Sequence, residues 1–272
     1  MRTMFSYPFM VNAFRAGTCV AVVAAVAGWF MVLRKQTFAG HTLAVVAFPG
    51  AAGATLIGIS AGYGYFAACI AAAGVIGLAG QAAPGRAFSA ESAVIGTVQA
   101  FALACGLLFA SLYKGFLSGV NGLLFGSFLG ITDAQVIGLA VIALTVVATL
   151  AVITRPLLFA SVDAGVAAAR GVPVRALGFV FLLLLGAAAA AASQITGALL
   201  VFALLVMPAA AAQRLTSRPA VSLLLTVVIG LAVTWAGLTA AYFSTYPIGF
   251  YVTTFAFAVY LLAIGTEWLR RA

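Results

Sequence analysis

Ala134-Gln135-Val136-Ile137-Gly138-Leu139-Ala140-Val141-Ile142-Ala143-Leu144-Thr145-Val146-Val147-Ala148-Thr149-Leu150-Ala151-Val152-Ile153 runs without a charge until Arg155-Pro156. As an α-helix, a run of about 20 residues rises roughly 30 Å, the thickness of a bilayer's hydrocarbon. Hydrocarbon offers no water to backbone N–H and C=O groups, so the run reads as a helix and not as an open strand. The whole chain repeats the pattern: 272 residues, 65% hydrophobic and 6% charged, with mean hydropathy +1.24. So much apolar surface does not fit inside one water-soluble globule, and the chain reads as an all-α polytopic membrane protein.

Apolar runs between charged or Pro/Gly-rich breaks fall near 16–33, 42–60, 64–80, 93–112, 134–153, 176–193, 197–212, 220–242 and 250–268. The breaks at Ser60-Ala61-Gly62-Tyr63-Gly64 and at Gln194 to Gly197 leave the count at eight or nine crossings, and 115–131 is apolar but short and broken by glycine. Basic residues stay on the cytoplasmic side of a membrane. With the N-terminus outside, Arg34, Lys35, Arg86, Arg155, Arg170, Arg175, Arg214, Arg218, Arg270 and Arg271 collect on that side, leaving Arg2, Arg15 and Lys114. That segregation favours an odd number of crossings and a cytoplasmic C-terminus in a multi-pass protein of the inner (plasma) membrane. The first run is longer than a secretory core and stops at Arg34-Lys35, so it reads as an uncleaved span. No linker divides the sequence, and residues 1–272 read as a single membrane domain.

The formal charge of +9 suits basic ends facing anionic lipid and calls for no nucleic acid. Cys19, Cys69 and Cys105 fall in separate spans without paired spacing, as small packing residues do. Glycines at 74, 77 and 80 and the run Gly186 to Ala192 are small residues that let helices approach closely in lipid. The only lysines, Lys35 and Lys114, follow no phosphate-binding loop pattern, and no H-E-x-x-H, Cys-x-x-Cys or histidine pair occurs. No catalytic centre and no bound cofactor are expected in this chain.

Two stretches carry more than packing. The only histidine, His41, lies at the mouth of a span that ends in Pro49-Gly50, where the proline removes a helical donor and the glycine removes a side chain. Ser161 to Pro173 reads as a short capped helix between spans: Ser161 or Asp163 accepts free N–H groups at its start, an Ala run continues it, and Gly171 with Pro173 stops it. A membrane subunit driven by a soluble motor needs such a cytoplasmic helix, and an ordinary connector reads the same way.

Phe38-x-Gly40-x-Thr42-Leu43-Ala44 with Pro49-Gly50, then Leu124-Phe125-Gly126-Ser127-x-Leu129-Gly130-Ile131-Thr132, Asp163-x-x-x-Ala167-x-x-x-Gly171-Val172, Gly197-Ala198-Leu199-Leu200-Val201 through Pro208-Ala209-Ala210, and Pro247-x-Gly249 occur in that order. Together they resemble the membrane subunits of zinc/manganese-type ABC importers over nearly the whole chain, most specifically in the Gly197 to Ala212 block. The resemblance implies a permease that pairs with a second copy or close paralogue. It also implies cytoplasmic ATPase subunits that bind ATP and dock on the helix marked by Asp163, Ala167 and Gly171, with substrate arriving from an extracytoplasmic solute-binding protein.

The departures bear on cargo. Related permeases carry an acid and a histidine four residues apart where this chain has His41 and Val45; a further family histidine matches Ala100, beside Gln99, and an acid before the Pro-x-Gly match is Thr245. One imidazole without a carboxylate makes a poor cage for a hard or borderline cation. Either the ion passes with few protein ligands, or this branch carries another substrate. His41 is then a metal ligand, with Gln99 or Gln194 as partner, or an interfacial residue satisfied by water or a carbonyl. Gln194 is a pore candidate or an interhelical hydrogen bond, and Pro208 a hinge or packing residue. Asp133 with Thr132 reads as a helix cap. The rival class, an ion-coupled secondary transporter, needs carboxylates at mid-membrane, whereas Glu91, Asp133, Asp163 and Glu267 all fall at or beyond span ends.

Overall fold

The computed structural model describes residues 4–82, 88–112, 122–126, 130–198 and 201–271. Arg2, Arg86 and Lys114 of the charge argument, Ser127, Leu129, Leu199 and Leu200 of the family pattern, and most of 115–131 lie outside the described residues. After a 3₁₀ turn at Met4–Ser6 come α1 (Pro8–Leu33), α2 (Thr37–Leu56), α3 (Ala61–Ala82), α4 (Phe88–Leu112), α5 (Asp133–Val162), α6 (Ala164–Ala169), α7 (Val174–Thr196), α8 (Val201–Leu215), α9 (Pro219–Tyr242) and α10 (Ile248–Arg271). Eight of these helices are long and apolar enough to cross a membrane, and α8 is a shorter apolar helix.

Side-chain contacts fix which helix ends share a face. Arg34 at the end of α1 reaches Ser161 at the end of α5 and Phe181 near the start of α7. Trp29 Nε1 donates to Ser222 Oγ at the start of α9, 3.0 Å away. Gln213 at the end of α8 donates to the Trp29 carbonyl at 3.0 Å, and Arg214 pairs with Glu267 at the end of α10 at 2.8 Å. The described basic residues of the expected cytoplasmic group, from Arg34 to Arg271, therefore sit at or near helix ends on one face, here the basic face. At the opposite, far face, Asn12 near the start of α1 donates to the Ile131 carbonyl before α5 at 3.1 Å. Short as it is, α8 leads back to Gln213 on the basic face, so among the described residues eight long helices and one short one run between the two faces.

Helix bounds depart from the sequence expectation where tertiary contacts decide. α1 starts at Pro8 and not at 16, because Met10, Asn12 and Ala13 are buried and the Asn12 amide has a carbonyl to bond; Arg15 lies within it, exposed. Pro156 does not end α5: Leu157 and Ala160 are buried against the bundle and hold the helix together to Val162, where extended Asp163 ends it. The break between α2 and α3 is at 57–60, where Gly58 adopts φ 78°, and Gly197, at φ 76° and ψ 155°, caps α7 ahead of α8.

α1, α2 and α7 form the buried centre, with the Ala188 to Ala192 run fully inside. α4 stands at the margin, with Phe101, Leu107 and Leu108 exposed. Where lipid supplies no hydrophobic drive between helices, close backbone approach does the packing. Gly28 of α1 lies against the Leu205 carbonyl of α8, and a Cβ there would collide with it.

Candidate functional site

The α6 segment is built from local rules. Asp163, with φ −145° and ψ 101°, accepts the Val166 N–H on Oδ1 at 2.9 Å. This satisfies one of the orphan donors of the first turn. At the other end the Gly171 N–H donates to the Ala168 carbonyl and the Val172 N–H to the Ala167 carbonyl, both at 3.0 Å. That pair of bonds is a Schellman stop, which needs the left-handed φ of 81° at Gly171. Ala167 is the one buried residue of α6, and Asp163, Val166, Arg170 and Gly171 are exposed. Asp163 is thus the cap. Ser161, the other expected cap, instead donates to the Leu157 carbonyl. Beside α6 runs a groove of about 810 Å³ lined by Leu78, Ala168, Val172, Pro173, Arg175 and Phe179. A rigid exposed turn next to an apolar groove on the basic face can seat a soluble partner.

The α2 segment gathers the other expected residues. His41 lies in the first turns of α2, half-buried, its ring edge-on to Phe202 of α8 at 4.9 Å, and its buried Nδ1 has no hydrogen-bond partner among the described residues. Gln99 does not pair with His41: its Oε1 accepts from Thr42 Oγ1 at 2.8 Å. Gln194 cannot pair with it either, since it lies in the last turn of α7 on the far face. There it lines a cavity of about 310 Å³ with Ser60, Tyr63 and Gln135. The three expected partners are therefore split between two faces.

Pro49 sits inside α2, so the Val45 carbonyl one turn earlier lacks its helical donor. Gly50 lies backbone to backbone against Gly64 of α3, where a Cβ on either would collide with the other's carbonyl; Gly106 of α4 meets Phe48 and Pro49 on the other side. At the Pro49-Gly50 step α2 is thus packed closely against both α3 and α4. Pro208, buried inside α8, likewise leaves the Leu204 carbonyl without its helical N–H. Ala100 is exposed on α4, and Thr245 is exposed in the far-face turn between α9 and α10.

Sequence reading missed two connections because both are tertiary. Gly126, at φ 77°, and Gly197 place their backbones in contact, and the Ala198 N–H donates to the Leu123 carbonyl at 3.2 Å. Gly126 of the second stretch of the family pattern and the start of the Gly197 block thus meet in one far-face joint. In sequence Arg34 is only a charge at a span end, yet in the fold it links α1, α5 and α7. Among the described residues no group of three or more His, Cys, Asp or Glu side chains comes together to hold a metal ion.

Comparison with known proteins gives a consistent relation. Residues 6–267 match the model of the ABC 3 transport family. Over 95% of this chain and 86% of the relative, it is 30% identical to the chelated iron transport system membrane protein YfeC of Yersinia pestis. It is also 29% identical, over 89% of this chain and 80% of the relative, to the manganese transport system membrane protein MntC of Halalkalibacterium halodurans. Among solved structures, a chain of PsaBC from Streptococcus pneumoniae in complex with Fab superposes with a TM-score of 0.84 at 22% identity, over 96% of this chain and 92% of that one. The last relation establishes the fold.

Proposed function

We propose, since this chain belongs to the ABC 3 transport family, that it is the multi-pass permease through which a divalent transition metal enters the cell, driven by ATP hydrolysed on a separate subunit. The observation that carries this reading is the geometry of α6. The segment is capped at both ends, exposed except for Ala167, set beside an apolar groove, and located on the face where the basic residues gather. In this reading that face is the cytoplasmic one, in keeping with the positive-inside rule, the C-terminus is cytoplasmic, and the membrane is the inner (plasma) membrane. ATP then belongs to the partner that seats on α6, and the permease itself has no chemical step to perform.

Transport follows from two-state behaviour. ATP-driven closure of paired motor subunits moves α6, and the bundle passes between conformations open to one side or the other. A second copy of this chain or a close paralogue completes the path, and a solute-binding protein delivers cargo at the far face. The reported relatives are named for manganese and for chelated iron, which favours those metals over zinc as cargo. His41 is the candidate side-chain ligand of α2, Pro49, Gly50 and Pro208 are candidates for yielding points of the path, and Gln99 and Gln194 are polar candidates at separate depths. With one imidazole and no acid in the matching positions, the ion passes holding most of its ligands as water or chelator.

Ion-coupled secondary transport finds no support in the acids: Glu91 and Asp133 lie in first turns, Asp163 lies between α5 and α6, and Glu267 is in the last turns of α10. Purification in detergent separates the readings. A P-loop ATPase recovered in stoichiometric amount, together with ATP-dependent metal uptake in vesicles, is the expected result; uptake driven by an ion gradient without an ATPase would overturn it.

A further inference from the structure

Arg34 occupies the position where the two legs of α6 meet the start of α2. Its Nη1 donates to Ser161 Oγ at 3.3 Å, two residues before the Asp163 cap. Its Nε donates to Gln36 Oε1 at 3.1 Å, at the N-cap of α2. Its Cζ lies 5.3 Å from the centre of the Phe181 ring on α7, a ring that is fully buried and that Phe30 of α1 also contacts at 6.4 Å. The helix leading into α6 and the helix leading out of it are therefore both held by one guanidinium.

The turn that carries Arg34 is stiff. Arg34, Lys35 and Gln36 donate their N–H groups to the carbonyls of Phe30, Val32 and Met31 at 2.9, 3.1 and 3.0 Å. Lys35 adopts φ 57°, the one positive φ at a non-glycine among the described residues. Four backbone steps later α2 is under way, and His41 stands in its first turns. A planar, always-charged fork can hold a hydroxyl, an amide and a ring face together, which a lysine cannot do.

We propose that Arg34 is the positioning residue that passes movement of the α6 segment to the α1–α2 turn, and thereby to the helix bearing His41. This inference rests on the reading of α6 as the seat of the ATPase. It predicts that loss of the fork separates ATP hydrolysis from transport and leaves the complex assembled.

The test uses the full permease with its ATPase in vesicles, with ⁵⁴Mn as the probe ion, and reads metal taken up per ATP hydrolysed. Arg34→Ala is expected to lower that ratio about tenfold, the scale of one charge-assisted hydrogen bond, while basal hydrolysis and ATPase recovery stay within about twofold of wild type. Arg34→Lys, which keeps the charge but not the fork, and Ser161→Ala should fall between. Gly178 gives an independent approach, because a Cβ there would lie 3.5 Å from Arg34 Nη2. Gly178→Ala should behave as wild type, and Gly178→Leu, which crowds the guanidinium off Phe181, should reproduce Arg34→Ala. An unchanged ratio in Arg34→Ala overturns the proposal, as does parallel loss of uptake, hydrolysis and recovery in Arg34→Lys, which marks a purely structural role. Failure of the wild-type chain to retain any ATPase would instead remove the docking reading itself.

Discussion

Thr42 Oγ1 donates a 2.8 Å hydrogen bond to Gln99 Oε1, joining α2 to α4 one residue along from His41. Thr42 is fully buried, so in lipid this bond is the alternative to an unsatisfied hydroxyl and amide. Interhelical bonds of this kind contribute on average about 0.6 kcal/mol and at most about 2 kcal/mol. Thr42→Val and Gln99→Leu should each destabilise the permease by roughly 1 kcal/mol, and the double variant by less than the sum. Unfolding in mixed micelles measures both. Strict additivity would mean that the two side chains do not support each other.

The Gly50–Gly64 contact gives a sharper prediction. A methyl group on Gly50 meets the Gly64 carbonyl and the Ala68 side chain, whereas one on Gly74 meets nothing within 4 Å. Gly50→Ala should therefore cost about 2 kcal/mol by overpacking, and Gly74→Ala should gain roughly 0.5–1 kcal/mol from helix propensity. Thermal inactivation of the two purified variants should move in opposite directions. Equal shifts would place α2 and α3 further apart than described.

Asp163 and Gly171 test the α6 segment. Asp163→Ala removes the bond to the Val166 N–H and should weaken the helix start by about 1 kcal/mol, while Asp163→Ser keeps an acceptor and most of the stability. Gly171→Val forces a branched side chain into left-handed φ at a cost of about 1–2 kcal/mol. Charge reversal at Asp163 or bulk at Gly171 should abolish ATPase coupling with membrane insertion intact. Full uptake in both Asp163→Lys and Gly171→Val would take the coupling role away from α6.

These tests divide along what the chain makes readable. The spans were legible because a bilayer demands long apolar runs, and α6 was legible because Asp163 and Gly171 act on their own neighbours. The start of α1 was not, since Asn12 depends on the Ile131 carbonyl 119 residues away, and neither was the run of α5 past Pro156, which depends on burial of Leu157. At the candidate site, His41 was visible as the only imidazole, but its contact with Phe202 and the separation of Gln99 from Gln194 follow from which helices pack together. Arg34 looked like one charge among ten until α5 and α7 were placed around it.

His41 and Val45 lie one turn apart on α2, so their side chains share a helix face. The family resemblance implies an acid and a histidine at those positions, a pair that would combine a hard oxygen with a borderline nitrogen and suit manganese or iron. If His41 is the surviving ligand, His41→Ala should reduce ⁵⁴Mn uptake by about tenfold at limiting metal, with the yield of folded complex unchanged. Restoring the family pair as His41→Asp with Val45→His should then raise retention of free Mn²⁺ above wild type, by roughly tenfold for the added second ligand. Chelated metal, which carries its own donors, should gain nothing. Equilibrium binding of free and chelated metal to the three proteins separates the outcomes. Equal binding in all three would make His41 a packing partner of Phe202 and place metal selection outside α2.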